Sequence, residues 1–190
     1  MTRVVVPFVT QPDIFAESGS SSGFGDITLS AFYANNAGKI AWGAGPVLNI
    51  PTAGENLGAK EWGLGPSFVA VVKSGQWVIG GLFNNIWSLG NDKINTFLFQ
   101  PFINYNLPKG YYFNTAPGIT ANWNAPAGQQ WTIPLGLAFG KVIKPEKFLP
   151  LNVQAGAYYN VEKPDYTGAD WSVRTSITIL IPKALIKRKN

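Results

Sequence analysis

Residues 95–123 read NTFLFQPFINYNLPKGYYFNTAPGITANW, two long extended segments joined by the tight turn Asn106-Leu107-Pro108-Lys109-Gly110. In the second segment the residues separate by parity. Tyr111, Phe113, Thr115, Pro117, Ile119, Ala121 and Trp123 fall on one face. Asn114, Ala116, Gly118, Thr120 and Asn122 fall on the other, with Tyr112 the single exception. A period of two marks a pleated strand whose two sides meet different surroundings. In a soluble sheet the apolar side turns inward, which here would leave small residues and carboxamides to cover the exterior. They suit a narrow, wet interior better. Apolar outside, polar inside and aromatic at both ends is the pattern of a transmembrane β-barrel strand.

The totals agree with that class. At 190 residues the chain is one domain by size. Apolar residues make up 46% and charged residues only 13%, about half the usual charged share for a soluble domain. Cysteine and histidine are both absent, which removes disulfides, thiolate nucleophiles, histidine bases and the usual zinc sites. No catalytic residue, metal or cofactor is therefore expected, and the chain does not read as an enzyme. No run approaches the roughly 18 to 20 apolar residues of a membrane helix. The N-terminus, MTRVVVPFVT, lacks the layout of a signal peptide, so an exported form would start here as a mature or trimmed chain.

Turn-forming residues divide the chain into ten expected strands, near 2–10, 25–34, 39–51, 61–73, 76–88, 95–106, 110–124, 130–142, 150–162 and 170–182. Most are long enough to cross a bilayer when tilted, which takes about 9 to 11 residues. The expected fold is an all-β, antiparallel up-and-down transmembrane barrel over 1–182, followed by a basic tail at 183–190. Connections alternate between longer ones (11–24, 52–60, 89–93 and 163–169) and shorter ones (35–38, 74–75 and 107–109), with 125–129 and 143–149 between. Outer-membrane barrels alternate in this way. Charge sorts with the sides. The short-turn side carries Arg3, Lys39, Lys73, Lys109, Lys144, Lys147, Lys183, Lys187, Arg188 and Lys189 against Glu146. The long-loop side carries Asp13, Glu17, Asp26, Glu55, Glu61, Asp92, Glu162, Asp165 and Asp170 against Lys60, Lys93 and Lys163. The net +5 does not read as a nucleic-acid footprint, because no surface interleaves it with aromatics.

All seven tryptophans, Trp42, Trp62, Trp77, Trp87, Trp123, Trp131 and Trp171, lie near strand ends, where amphipathic rings suit a membrane–water boundary. They are read as two aromatic girdles. Mid-strand prolines at 7, 46, 66, 101, 117 and 134 each remove a ladder donor, and bulges or kinks are expected there. The faces of GQWVIGGLFNNIW (75–87) stay unassigned, because both parities are mixed. Trp42-Gly-Ala-Gly-Pro46 and Trp62-Gly-Leu-Gly-Pro66 form a weak repeat on consecutive strands.

Several strings, among them GPVLNIPTA (45–53), WGLGPS (62–67), QPFINYNLPKGYYFNTAPGITANW (100–123), IPLGLAFGKV (133–142) and YYNVEKPD (158–165), resemble a bacterial outer-membrane barrel family. Its members are known as transporters or as "MetA-pathway of phenol degradation" proteins, some labelled neuromedin U. The resemblance implies an outer-membrane barrel that passes small or aromatic solutes, in contact with lipid and with no nucleic-acid partner. It also implies at least one further strand upstream, so that a full-length relative has twelve. Members tend to end near 179–182, where this chain continues into its basic tail.

The expected lumen residues are Gln100, Asn104, Asn114, Asn122, Gln154 and Asn160, which share the inner parity, with Arg174 and Asp26. The carboxamides could hold a polar solute or a file of waters, or satisfy one another and fill the barrel. Arg174 alternates with Ser172, Ser176 and Thr178, and an arginine at lipid midplane costs about 2 to 4 kcal/mol, so it is placed inside. There it biases a pore toward anions or, the preferred expectation, pairs with Asp26. The readings carried forward are a passive solute channel, a filled barrel with a structural or docking role, and a soluble ligand-binding barrel.

Overall fold

The structure, a computed structural model, describes residues 2–11, 21–55, 57–145, 149–165 and 169–179. Its strands are β1 (Thr2–Val5), β2 (Phe8–Gln11), β3 (Ser21–Phe24), β4 (Ile27–Ala31), β5 (Tyr33–Ala37), β6 (Ile40–Ile50) and β7 (Gly63–Ser74). They continue with β8 (Trp77–Ser88), β9 (Asn95–Asn106), β10 (Tyr111–Thr115), β11 (Ile119–Asn122), β12 (Trp131–Ile143), β13 (Leu151–Glu162) and β14 (Trp171–Ile179). Twelve of them form one antiparallel sheet with the path β1-β4-β6-β7-β8-β9-β10-β12-β13-β14. β5 continues beside β6, and β11 lies between β9 and β12. The fold is an all-β antiparallel meander in which each long strand pairs with the next. Among the described residues no ladder joins β1 to β14.

Ten expected segments correspond to the ten strands of that path, but three are broken, the first of them at Pro7 into β1 and β2. The second divides into β4 and β5 around buried Phe32, and the seventh into β10 and β11 around Pro117. The stretch expected as a loop from Gln11 to Phe24 instead begins and ends in a small hairpin of β2 and β3. Pro7 separates that hairpin from β1, Gly25 N–H bridges the gap to the Pro7 carbonyl at 3.0 Å, and Phe8 meets Phe24 edge-on. Residues 12–20 of that loop and the basic tail lie outside the described residues.

The prolines show how a ladder absorbs a missing donor. Pro46 stands opposite Pro66 between β6 and β7, so the repeated Gly-x-Gly-Pro motif meets itself across the sheet. A Cβ built at Gly65 would run into the carbonyl oxygen of Asn85, and one at Gly45 into that of Ala31. The glycine before each proline leaves room for a carbonyl that has lost its partner. Pro134 sits at a register shift between β12 and β13. Pro101 and Pro117 occupy the gap between the Ile103–Thr115 and Phe99–Ile119 pairs.

The two faces differ as parity predicts, and the apolar one looks out. Phe113, Leu135 and Leu137 are 49%, 56% and 66% exposed, and Ile79, Phe83, Phe99, Phe139, Val173 and Ile177 are exposed with them. All seven tryptophans fall in step with the outward residues of their own strands, Trp62 included, just before β7. Phe97, Trp123 and Trp131 touch one another over Ala121, which they bury on this outer side. The opposite face holds buried Ser30, Asn49, Ser67, Asn84 and Asn114. It is the concave face. The Gln154 amide on β13 donates to Asn114 Oδ1 on β10 at 3.1 Å across the whole of β12. In a flat sheet strands two apart are separated by roughly 10 Å.

The interior is less polar than expected. Val47, Leu82 and Ile86 are buried there with Tyr112 and Tyr158. This also settles β8: Trp77, Ile79, Phe83 and Trp87 point out, while Leu82, Asn84 and Ile86 point in. Its parity is blurred because the loop-side interior is itself an apolar cluster of Val47, Ile86 and Ile94.

Two substitution pairs check these faces. Leu137→Arg places a charge on the exposed face and is expected to cost about 2–4 kcal/mol for folding into lipid. Ala138→Ser, one residue away and inward, is expected to cost less than half of that. Gly65→Ala should lower the folded fraction more than Gly38→Ala, which meets open space but carries a positive φ of 63°. The urea midpoint after refolding into lipid vesicles reads all four, and equal effects within either pair contradict the assignment.

Candidate functional site

Glycines in β12 decide what the interior can hold. Gly136 and Gly140 point inward, and a Cβ on either would strike the ring of Tyr158 or Tyr112 respectively. The Tyr112 ring takes the space that Gly140 leaves empty, while at Gly136 the Ala157 carbonyl oxygen lies closer still than the Tyr158 ring. Tyr112 was the parity exception in the sequence, and its position opposite Gly140 is the signal that explains it. Its hydroxyl donates to Asn152 Oδ1 at 2.7 Å and lies 3.1 Å from Gln154 Oε1. Gln154 donates on to Asn114, and Asn114 Nδ2 donates to Asn104 Oδ1. Five side chains from β9, β10 and β13 thus form one hydrogen-bonded chain across the concave face. Asn104, Asn114 and Gln154 were expected there; Tyr112 and Asn152 were not.

A second constellation forms where Pro117 breaks the strand. The Ala116 carbonyl accepts from Gln100 Nε2 and from Arg174 Nη1, each at 3.4 Å. Arg174 comes from β14, so its side chain spans two strands to arrive there. Its guanidinium lies 5.2 Å from the centre of the Tyr158 ring, a cation–π distance. The guanidinium passes close to Gly118, where a Cβ would lie 3.7 Å from Arg174 Nη2, an ordinary contact.

The expected ion pair between Arg174 and Asp26 does not form. Asp26 sits at the loop end, where its two oxygens accept the backbone N–H groups of Ala53 and Lys60 at 3.0 and 3.1 Å. It holds the 51–62 connection in place. Glu61 does the same for the next loop, accepting Asn91 N–H, while its carbonyl receives Asn49 Nδ2 at 3.0 Å. Lys163 and Asp170 form an ion pair at 3.1 Å, also at this end. Asn122 and Asn160 are likewise at the loop rim rather than in the central cluster. Asn122 Oδ1 accepts Asn124 N–H, and Asn160 donates to the Ala169 carbonyl at 2.7 Å. The short polar side chains near strand ends are thus spent on loop backbones. Parity alone does not report height along the strand.

At this rim a recess of about 430 Å³ opens between Thr96, Thr120, Asn122, Gln129 and Thr132. Gln129 and Asp165 brace it by exchanging two hydrogen bonds, at 2.6 and 2.7 Å. A mouth of threonines and carboxamides set among alanine and proline, a carboxamide chain and Arg174 line the same concave face, which Arg3 shares opposite Ser30, and aromatic rings edge the convex one.

A family model described as "Putative MetA-pathway of phenol degradation" matches residues 2–185, nearly the whole chain. The chain belongs to this family. Neither a curated protein nor a solved structure matches it. The phenol-degradation family assignment accords with the strings quoted from residues 45 to 165, which include the strand bearing Tyr112 and Asn114. Among the described residues of this family member, no group of three or more His, Cys, Asp or Glu side chains could hold a metal.

Tyr112→Phe keeps the ring over Gly140 and removes only the hydroxyl. The loss of one hydrogen bond, with two carboxamide oxygens left to repair, is expected to cost about 1–3 kcal/mol in the urea midpoint. Gly140→Ala should cost at least as much by displacing the whole ring. A midpoint unchanged in both variants would mean that the tyrosine is not part of a packed interior.

Proposed function

We propose that this chain is a bacterial outer-membrane β-barrel that passes small solutes through a narrow, largely polar interior. The observation that carries the reading is the inversion of the sheet. Leu137 is 66% exposed while Asn114, one strand away and on the opposite parity, is 5% exposed. A surface of Leu, Phe, Val and Ile this broad suits hydrocarbon and would be a large aggregation liability in water. Tryptophans at both ends of the strands suit the two interfaces. Closure of β1 against β14 belongs to this proposal, because an open edge in hydrocarbon leaves amides unpaired. The family's description suggests a role linked to phenol degradation, and an aromatic solute is within the scope of such a channel.

Selectivity in this reading comes from Arg174, with Arg3 a second cation on the same face opposite Ser30. The acidic residues described lie in loops or at strand ends, whereas Arg174 reaches the concave face paired with a neutral carbonyl. A positive group without a carboxylate beside it favours anions. The filled-barrel reading has two observations of its own, and the first is that Tyr112, Gln154, Asn114 and Asn104 satisfy one another across the interior. In the second, Val47, Ile86 and Ile94 pack together beneath the 51–62 connection, where they narrow the loop end.

Electrophoretic mobility with and without boiling in detergent, followed by conductance in a planar bilayer, tests both. A heat-sensitive mobility shift and discrete conductance steps are the expected results. A chain that is monodisperse without detergent would refute the membrane reading, while a shift without conductance favours the filled barrel. In the conducting case Arg174→Gln should reduce the chloride-to-potassium permeability ratio by roughly twofold or more.

A further inference from the structure

The convex face carries one charge out of place. Lys141 shares the outward parity of Leu135, Leu137 and Phe139 on β12, at the short-turn end. It is fixed rather than free, with Nζ donating to the Tyr111 hydroxyl at 2.9 Å and lying 4.4 Å from that ring's centre. Tyr111 in turn stacks on Phe139, with ring centres 5.6 Å apart. The Pro108–Gly110 turn presses onto the same place. A Cβ at Gly110 would come within 2.6 Å of the Val142 carbonyl, and Lys109 takes a left-handed φ of 59° to follow the turn. The result is a recess of about 570 Å³ lined by Lys109, Gly110, Lys141, Val142, Ile143 and Lys144.

Three lysines therefore line one recess with Val142 and Ile143, and none of the lining residues is acidic. Glu146, in the neighbouring connection, lies outside the described residues. Below the lysines the surface continues as exposed Phe139, Leu137 and Phe113. We infer that this recess binds the phosphate headgroup of an acidic phospholipid, with its acyl chains along the apolar face. The inference rests on the outward face being lipid-facing, as proposed above. Basic side chains at a leaflet surface attract anionic headgroups, and an ammonium held by an aromatic shelf sits at headgroup height. Both parts of such a lipid have a counterpart here, whereas free phosphate would use only the lysines.

The test is native mass spectrometry of the folded protein in detergent, with phosphatidylglycerol, phosphatidylcholine of the same chains, or inorganic phosphate added. One retained phosphatidylglycerol is expected, favoured at least tenfold over phosphatidylcholine, with inorganic phosphate unable to displace it. Lys109→Gln/Lys141→Gln/Lys144→Gln should lose that preference. Lys109→Gln/Lys144→Gln, which keeps the Lys141–Tyr111 contact and so spares folding, should lose part of it. Lys93→Gln on the opposite rim should behave as the unaltered chain. Equal retention of the two lipids, unchanged preference in both variants, or displacement by inorganic phosphate would overturn the site. A chain that needs no detergent would refute the lipid-facing premise itself; one that folds in detergent without lipid preference refutes only this site.

Discussion

Backbone pairing between neighbouring strands leaves each side chain only two directions, and everything else in this structure follows from that restriction. Between Ile133–Glu162 and Ile143–Leu151 the β12–β13 ladder runs almost without interruption. Along it Leu135, Leu137 and Phe139 have no choice but to share one face, and Ala138 and Gly140 the other. Curvature then decides which face is enclosed. Because Asn114 meets Gln154 over β12, the enclosed face is the one with small and amide side chains. An aromatic face left on the convex side suits an apolar medium, and the proposed membrane location rests on that exposed face.

The same ladder makes proline expensive, and the chain answers in two ways. Where Pro46 and Pro66 face each other, the β6–β7 ladder itself stays continuous, the preceding glycines make room for the carbonyls of Ala31 and Asn85, and the ladders on the far sides lapse locally. Where Pro101 and Pro117 approach each other, the pairing lapses and a carbonyl turns to side-chain donors instead. The second solution creates chemistry. Ala116 offers an acceptor in mid-sheet, and Gln100 and Arg174 converge on it. A backbone acceptor can hold an arginine without cancelling its charge, whereas a carboxylate would neutralise it. The interior keeps a positive group for that reason.

The two ends of the sheet are built on opposite principles. At the loop end, Asp26 and Glu61 accept backbone N–H groups and fix long connections over an apolar plug. At the short-turn end, lysines collect around aromatic rings and a two- to four-residue turn, with little chain to organise. Carboxylates suit the first task because each offers two acceptors to unpaired amides. Ammonium groups on long stems suit the second, since they can rest on a greasy surface and still reach water or a phosphate.

Much of this was legible in the residues themselves. Period-two alternation in 111–123 and 133–141 determined the strand class and the split into faces, because a pleat converts spacing directly into direction. Turn residues set the number of long strands and the alternation of connections. The clustering of Asn104, Asn114 and Gln154 followed from parity. What parity lacks is height along the strand and identity across the sheet. Asp26, Asn122 and Asn160 therefore read as interior residues although they serve the loops, and the Arg174–Asp26 pair was drawn between groups that the register keeps apart. Tyr112 opposite Gly140, the Ala116 acceptor and the lysine recess depend on which strands become neighbours and how far each is shifted. Those are settled only when the sheet curls, because they arise from contacts between residues far apart in the chain, which no local pattern encodes.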